Sequence, residues 1–306
     1  MALQSSGQIS LQDIANEFGG STPHSINEYY RNGGLVGGNN TNIPTSGTID
    51  FADFYGATAA TSRQLSNGDT NVNLSQTFGT DWASSIGKIL IIPSGAEIGD
   101  TAGNGAIMVP SGMGGTLSIQ NAGTVSGVGG SGGTSSGSNG NPGGSAIVIS
   151  NANVTVQNSG TIRGGGGGGA AGNDGSPGST GYQEGPYYWQ LQCNGGSGGG
   201  HGDGGNGQGY GSSATNGANG SPGGGISATG NLQGPEQQYC DIFNPHHGLS
   251  QTPGSPGTPG GAGGTFGNTG TSVSPGGSGG PAGKYIQTNS VSYTLQNSGS
   301  LQGNAP

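Results

Sequence analysis

The chain has 306 residues, of which 75 are Gly and 16 are Pro, with 6% charged, 27% hydrophobic and a net charge of −9. That much glycine and proline reads as low-complexity chain, but disordered segments draw on abundant charge, which is missing here. An ordered fold must therefore rest on backbone hydrogen bonds more than on a large oily core.

The basic residues Arg31, Arg63, Lys88, Arg163 and Lys284 are scattered. No basic patch exists to neutralise phosphates, which argues against nucleic acid as a partner. The longest apolar run, "ILIIP", is too short to cross a bilayer. The opening "MALQSSGQIS" lacks a basic segment followed by an apolar stretch, so no secretory signal is read and assembly in a cytoplasm is expected.

In chain order, the first element is a small device used twice. "SGQISLQDI" (6–14) and "SGTIDFADF" (46–54) share Ser-Gly-x-Ile-(Ser/Asp)-apolar-x-Asp-apolar. Ser10 and Asp50 suit helix N-caps, with Asp13 and Asp53 three positions on as in a capping box. Ile9 with Ile14, and Ile49 with Phe54, fit hydrophobic staples. The first helix should stop at Gly19-Gly20, and a second short one in "SINEYYRN" at Gly33-Gly34.

From residue 65 to 110 the chain alternates like strands, as in "NVNLSQTF" and "KILIIPSGAEIG". A second repeat follows in three copies: "LSIQNAGTVSG" (117–127), "VTVQNSGTIRG" (154–164) and "YTLQNSGSLQG" (293–303). Each is a short strand, a Gln-Asn-x-Gly turn and another short strand. "GAIMVP", "SAIVIS" and "GKYIQ" supply an apolar run upstream of each copy. The copies form a β base, either as solenoid-like coils or as a small sheet, with Ile119, Val156 and Leu295 at equivalent inward positions.

Glycine-rich inserts separate the copies, at 128–144 and 165–282. Their glycines are phased by three, as in Gly137, Gly140 and Gly143, or Gly254, Gly257, Gly260 and Gly263. Three residues per turn is the period of the extended polyproline-II type of helix. Collagen needs an unbroken register in three chains, and these runs are short and interrupted. A single-chain bundle of polyglycine-II helices, antiparallel by turns, fits the phasing better.

The non-glycine sequence then falls at the bundle's ends. "YQEGPYYWQLQC" (182–193) carries Tyr182, Tyr187, Tyr188 and Trp189; "LQGPEQQYCDIFNPHHGLS" (232–250) carries Tyr239, Phe243, His246 and His247; Tyr210 lies in a shorter stretch, as does Phe266. Such aromatics either plug the bundle or, interleaved with Gln, Asn and His, make a paratope-like contact surface. Cys193 and Cys240 sit in the two long loops and are read either as reduced thiols or as a disulfide tying the loops together.

Chemistry signals are poor. No Gly-x-x-x-x-Gly-Lys-(Ser/Thr) occurs, "GGHGDGGNG" is a single copy of anything like a calcium nonapeptide, and His246-His247 lack ligand spacing. No catalytic residue, metal ligand or cofactor is assigned, and the chain is read as a non-enzyme.

Two resemblances attach to these motifs. The tandem "SGQISLQDIANEFGG…SINEYYRNGGLV" and "IPTSGTIDFADFYGA" resembles an N-terminal segment of tail and fibre proteins of T-even-like, marine-type phages. The glycine-rich half resembles the distal tail-fibre adhesins of such phages, in which a polyglycine-II sandwich holds variable aromatic loops. The resemblance implies a virion protein at the tail or fibre tip, with a host-cell surface receptor (outer-membrane protein or glycan) and other tail or fibre subunits as partners. It implies receptor contact by Tyr182, Tyr187, Tyr188, Trp189, Tyr210, Tyr239, Phe243, His246 and His247. The alternative is a structural fibre protein with the glycine insert as a spacer. The expected fold class is mainly β and irregular: an attachment module at 1–62, a β region at 63–127 and a glycine-rich adhesin domain at 128–306.

Overall fold

The computed structural model describes residues 3–31, 35–36, 40–84, 86–178, 181–184, 190–194, 197–224, 227–229 and 253–306. Near the N-terminus, α1 (Leu11–Phe18) is capped by Ser10, whose side chain accepts from the Asp13 N–H while Asp13 accepts from the Ser10 N–H. It ends on Gly19 at φ 77, a conformation glycine adopts without a Cβ penalty. Asp50 and Asp53 repeat the capping box on a single 3-10 turn, Phe51–Phe54. The other helical turn, Ile26–Tyr29, is also 3-10; the expected stop at Gly33-Gly34 lies outside the described residues. Tyr55 Oη, just after the second copy, donates to the Gly7 carbonyl of the first, and Tyr30 Oη, from the segment between them, donates to the Gly47 carbonyl of the second. Phe18, Tyr29 and Phe54 form the centre of this core, their ring centroids 6.3 to 6.4 Å apart.

The repeats form a three-sided parallel β-solenoid. An edge strand, β1 (Ala60–Gln64), precedes it. Its coils begin with β2 (Val72–Asn73), β3 (Gly87–Ile92) and β4 (Glu97–Gly99). Next come β5 (Ile107–Val109), β6 (Leu117–Asn121) and β7 (Thr124–Ser126), then β8 (Ile147–Ile149), β9 (Val154–Asn158) and β10 (Thr161–Arg163). Three short strands lie in the long insert: β11 (Gly181–Glu184), β12 (Gln190–Asn194) and β13 (Ser227–Thr229). The last coil is β14 (Ile286–Thr288), β15 (Tyr293–Asn297) and β16 (Ser300–Gln302). Corresponding strands stack into sheets ordered β1-β3-β6-β9-β15, β4-β7-β10-β16 and β2-β5-β8-β14.

Register places Leu90, Ile119, Val156 and Leu295 in one inward row, and Ile98, Val125, Ile162 and Leu301 in another. The members in the inner coils are fully buried, while Leu295 and Leu301 of the last coil are half-buried. Asn121, Asn158 and Asn297 stack at one corner, each Nδ2 donating to the next Oδ1 at 2.7 Å. This ladder satisfies the amide groups that close the turn.

One local expectation is corrected. "NVNLSQTF" is a strand only at Val72–Asn73 and then α2, Leu74–Phe78. Asn73 turns the chain by accepting from the Ser75 N–H, an N-cap that overrides the alternating pattern. The turn buries Leu74 and Phe78 in the solenoid core.

Both glycine inserts leave after one sheet (β7, β10) and return before another (β8, β14), so they spring from the same corner. Among the described residues the inserts make eight extended runs, at 128–134, 138–144, 164–176, 197–208, 212–224, 253–265, 267–273 and 276–284. The run at 164–176 lies in the middle. Its successive N–H groups at Gly165, Gly166 and Gly167 donate to Gly144, Gln208 and Asn268, in three different neighbours. Its carbonyls at Gly165, Gly166 and Gly167 accept from Gly283, Gly130 and Gly264, in three more. Six neighbours around one chain leave little room for side chains, and residues 164–172, "GGGGGGAAG", are buried throughout with nothing larger than the methyls of Ala170 and Ala171.

Candidate functional site

The bundle has a base end, against the solenoid, and a far end. The runs at 128–134 with 138–144, and at 267–273 with 276–284, are short hairpins; the four runs between 164 and 265 continue further. Their far termini lie side by side. The Gly175 N–H donates to Gly199 at 2.7 Å, Ser255 to Ser176 at 2.9 Å, Gly224 to Ser197 at 2.7 Å and Gly254 to Gly224 at 3.1 Å. The segments 177–196 and 225–252, which hold the two long aromatic loops, therefore both begin and end at this one end.

Backbone pairing also joins the two loops. β11 and β12 form an antiparallel hairpin, with Tyr182 opposite Gln192 and Gly181 opposite Cys193. β13, from the second segment, pairs with β12 and sets Ala228 opposite Cys193. The five residues linking β11 to β12, which include Tyr187, Tyr188 and Trp189, lie outside the described residues, as do Tyr239, Cys240, Phe243, His246 and His247. The structure thus brings Tyr182 and Cys193 together on one hairpin.

Tyr210 stands apart, at the base end. Its N–H donates to the Gly127 carbonyl at 3.2 Å, and its ring lies so close to Gly99 that a Cβ there would be 2.1 Å from Cγ. The ring fills the seam between solenoid and bundle, because the side chain missing from Gly99 leaves a flat seat for it. Phe266 is also at the base. The Arg163 guanidinium sits 3.7 Å above its ring centroid and donates to Glu97 at 2.8 Å and to Ser126 at 2.8 Å. Burial pushes the Glu97 carboxyl up, but the hydrogen bonds from Ser126 and Arg163 and the charge of Arg163 outweigh it and hold the group below its ordinary range.

Arg163→Ala should lower thermal stability by about 2 kcal/mol, through loss of a charge-assisted bond and a cation–π contact. Glu97's share is complete at pH values above the unfolded carboxylate range, about 4. It fades as pH falls through the lower folded value. Thermal unfolding of both proteins between pH 3 and 7 checks this: the gap should narrow toward pH 3.

Midway along the bundle, where the short hairpins end, His201 Nδ1 meets Asp174 Oδ1 at 2.7 Å and Nε2 lies 3.2 Å from the Thr134 carbonyl. The Asp174 hydrogen bond and the Thr134 carbonyl raise the imidazole pKa. This is the "GGHGDGGNG" stretch, and its histidine pins its own run to two others. Among the described residues no group of three His, Cys, Asp or Glu side chains is placed to hold a metal ion. No described helix is long and apolar enough to cross a membrane.

The signals missed in the sequence are the central run and the Arg163 clasp. An unbroken Gly/Ala stretch marks a chain with neighbours on every side, whereas phased glycine marks an outer one. The clasp left no local pattern, since Glu97, Ser126, Arg163 and Phe266 come from separate coils and turns.

The model of the family described as phage tail fibre adhesin Gp38 matches residues 58–306. The chain belongs to that family. As a tail fibre adhesin it is a component of the virion's tail fibre, acting in host attachment, and its family is one of adhesins rather than enzymes. No curated protein matches the sequence. A solved structure described as the gp37–gp38 adhesin tip complex of the bacteriophage S16 long tail fiber is similar in fold. That likeness has a TM-score of 0.50 at 18% identity and covers 99% of this chain and 95% of that one.

Proposed function

We propose that this tail-fibre adhesin recognises its host through the two long loops at the far end of the glycine bundle. The runs are polyglycine-II helices that act as a stiff, inert mount. The observation that carries this reading is the meeting of four run termini at one end, with β12 and β13 joining both loops in one sheet. Tyr182, Tyr187, Tyr188, Trp189, Tyr239, Phe243, His246 and His247 all belong to the segments mounted there. Tyr and Trp give large contact area at low entropic cost, against either a sugar face or a protein pocket. The N-terminal module, with its own aromatic core and braced capping boxes, is the element that docks to other fibre subunits, as the solved S16 tip is described as a complex of gp38 with gp37. The receptor is a host-surface protein or glycan, and the protein is assembled in the host cytoplasm.

Tyr188→Ala combined with Trp189→Ala should cut adsorption to host cells about thirtyfold, the cost of truncating a central aromatic contact. The control is an N-terminal-module variant of matched thermal stability, compared as purified protein binding to cells. Equal adsorption by the loop variant and the parent would hand the bundle to the spacer reading.

A further inference from the structure

The solenoid's broad sheet, β1-β3-β6-β9-β15, has an outer face that neither the core nor the bundle uses. In register along it lie Ser62, Ile89, Ser118, Thr155 and Thr294, and beside them Gln64, Ile91, Gln120, Gln157 and Gln296. No ionisable side chain occurs among these ten. The glutamines form an exposed ladder: Ser118 Oγ donates to Gln157 Oε1 at 3.3 Å, and Gln157 Nε2 donates to Gln296 Oε1 at 3.0 Å. Gln120 makes no side-chain hydrogen bond among the described residues, and the ladder leaves amide donors and acceptors turned outward. Along it runs an open groove of about 680 Å³, with Ile91 and Pro93 at one end and Gln296 and Ser298 at the other.

We propose that this face is a binding site for an extended, uncharged glycan chain laid across the strands. Three features select that ligand. Without charges the face gains nothing from a phosphorylated or acidic chain, which would lose hydration on it with no cation in return. Side-chain amides and hydroxyls, each both donor and acceptor, match sugar hydroxyls and acetamido groups. Strands repeat about every 4.8 Å across the sheet, close to the advance per sugar of an extended β-1,4-linked pyranose chain, so successive sugars meet successive rungs. Ile91 and Pro93 offer an apolar seat to the C–H face of a ring. The Asn121-Asn158-Asn297 stack, buried at Asn121 and Asn158, already secures the turns, so the outer glutamines are not needed for that task.

The site is separate from the far-end loops, and its test is separate too. Chitohexaose and cellohexaose, titrated into the full chain at up to millimolar concentration, should shift the backbone amide resonances of residues 118–120, 155–157 and 294–296; a hexamer of galacturonate should not. Gln120→Ala with Gln157→Ala should weaken the neutral hexamers about tenfold, the loss of one or two net hydrogen bonds. The same variant should keep the parent's melting temperature, since both side chains point to solvent. The Tyr188→Ala/Trp189→Ala variant should bind the hexamers as the parent does, which keeps this result independent of the receptor loops. No shift with either neutral hexamer overturns the proposal, as does equal binding by the glutamine variant. A parent dimer that the glutamine variant splits would also overturn it, by assigning the face to self-association.

Discussion

Gly167→Ala should unfold the glycine bundle well below the parent's melting temperature. A Cβ on Gly167 would lie 1.7 Å from the Gly280 carbonyl oxygen and 2.4 Å from its carbon. Both are backbone atoms, and the Gly280 N–H is itself bonded to Gly168 in the same central run. The contact cannot be relieved by a rotamer change; the run at 276–284 must move away and give up its bonds to 164–176. Overpacking of this kind costs about 3 kcal/mol or more, against a gain of at most about 1 kcal/mol from restricting the unfolded chain. A control glycine tells crowding from a general intolerance of alanine. Gly200 is exposed, its nearest neighbour is the Ser221 hydroxyl at 3.2 Å, and Gly200→Ala should be near neutral. Differential scanning calorimetry of the two variants decides it. Equal melting temperatures would show that the centre is not close-packed.

Val156→Asp should be the most damaging single change in the solenoid. Val156 is fully buried and sits in register between Ile119 and Leu295. A carboxylate there has no partner, and the cost at neutral pH is about 4 kcal/mol or more. Burial would raise the pKa of the new carboxyl above its unfolded value. The penalty should therefore be full at pH 7 and shrink as pH falls toward the unfolded carboxylate range. Leu295→Asp, in the half-buried last coil, should cost clearly less. Urea unfolding of both variants at pH 7 and pH 4.5 reads the ranking and its pH dependence together.

Much of the fold was legible because its rules are periodic. The three Gln-Asn-x-Gly copies read out three coils and the inward row of Ile119, Val156 and Leu295, since a parallel solenoid repeats its register from coil to coil. The coil of β2, β3 and β4 was missed as a copy because its turn is built differently. Ile92 stands where the others have Asn, and Pro93-Ser94-Gly95-Ala96 replaces the shared turn, so similarity of shape survives without similarity of sequence. Phased glycine located the runs. It did not reveal that Gly164 to Gly172 occupy the centre, which follows only from counting the sides on which a chain must be bare. At the candidate site composition placed the loops at the bundle's ends, and the structure added that both long loops start and finish at the same end. Tyr210 shows the limit: an aromatic between glycines reads the same in sequence at either end of a bundle, and here it packs on Gly99.

The threefold bonding of the central run also constrains how such a protein can lengthen. One residue added inside a run would turn every later N–H by a third of a revolution and aim it at the wrong neighbour. Only whole triplets preserve the pairing, each raising the far end by about 9 Å. They must enter the four long runs together, or the shared platform of termini breaks into steps. The stalk can thus grow or shrink only in discrete, concerted increments. The loops it carries join the stalk at the run termini, where the triplet rule ends, so a change of one residue in a loop leaves the pairing of the runs intact.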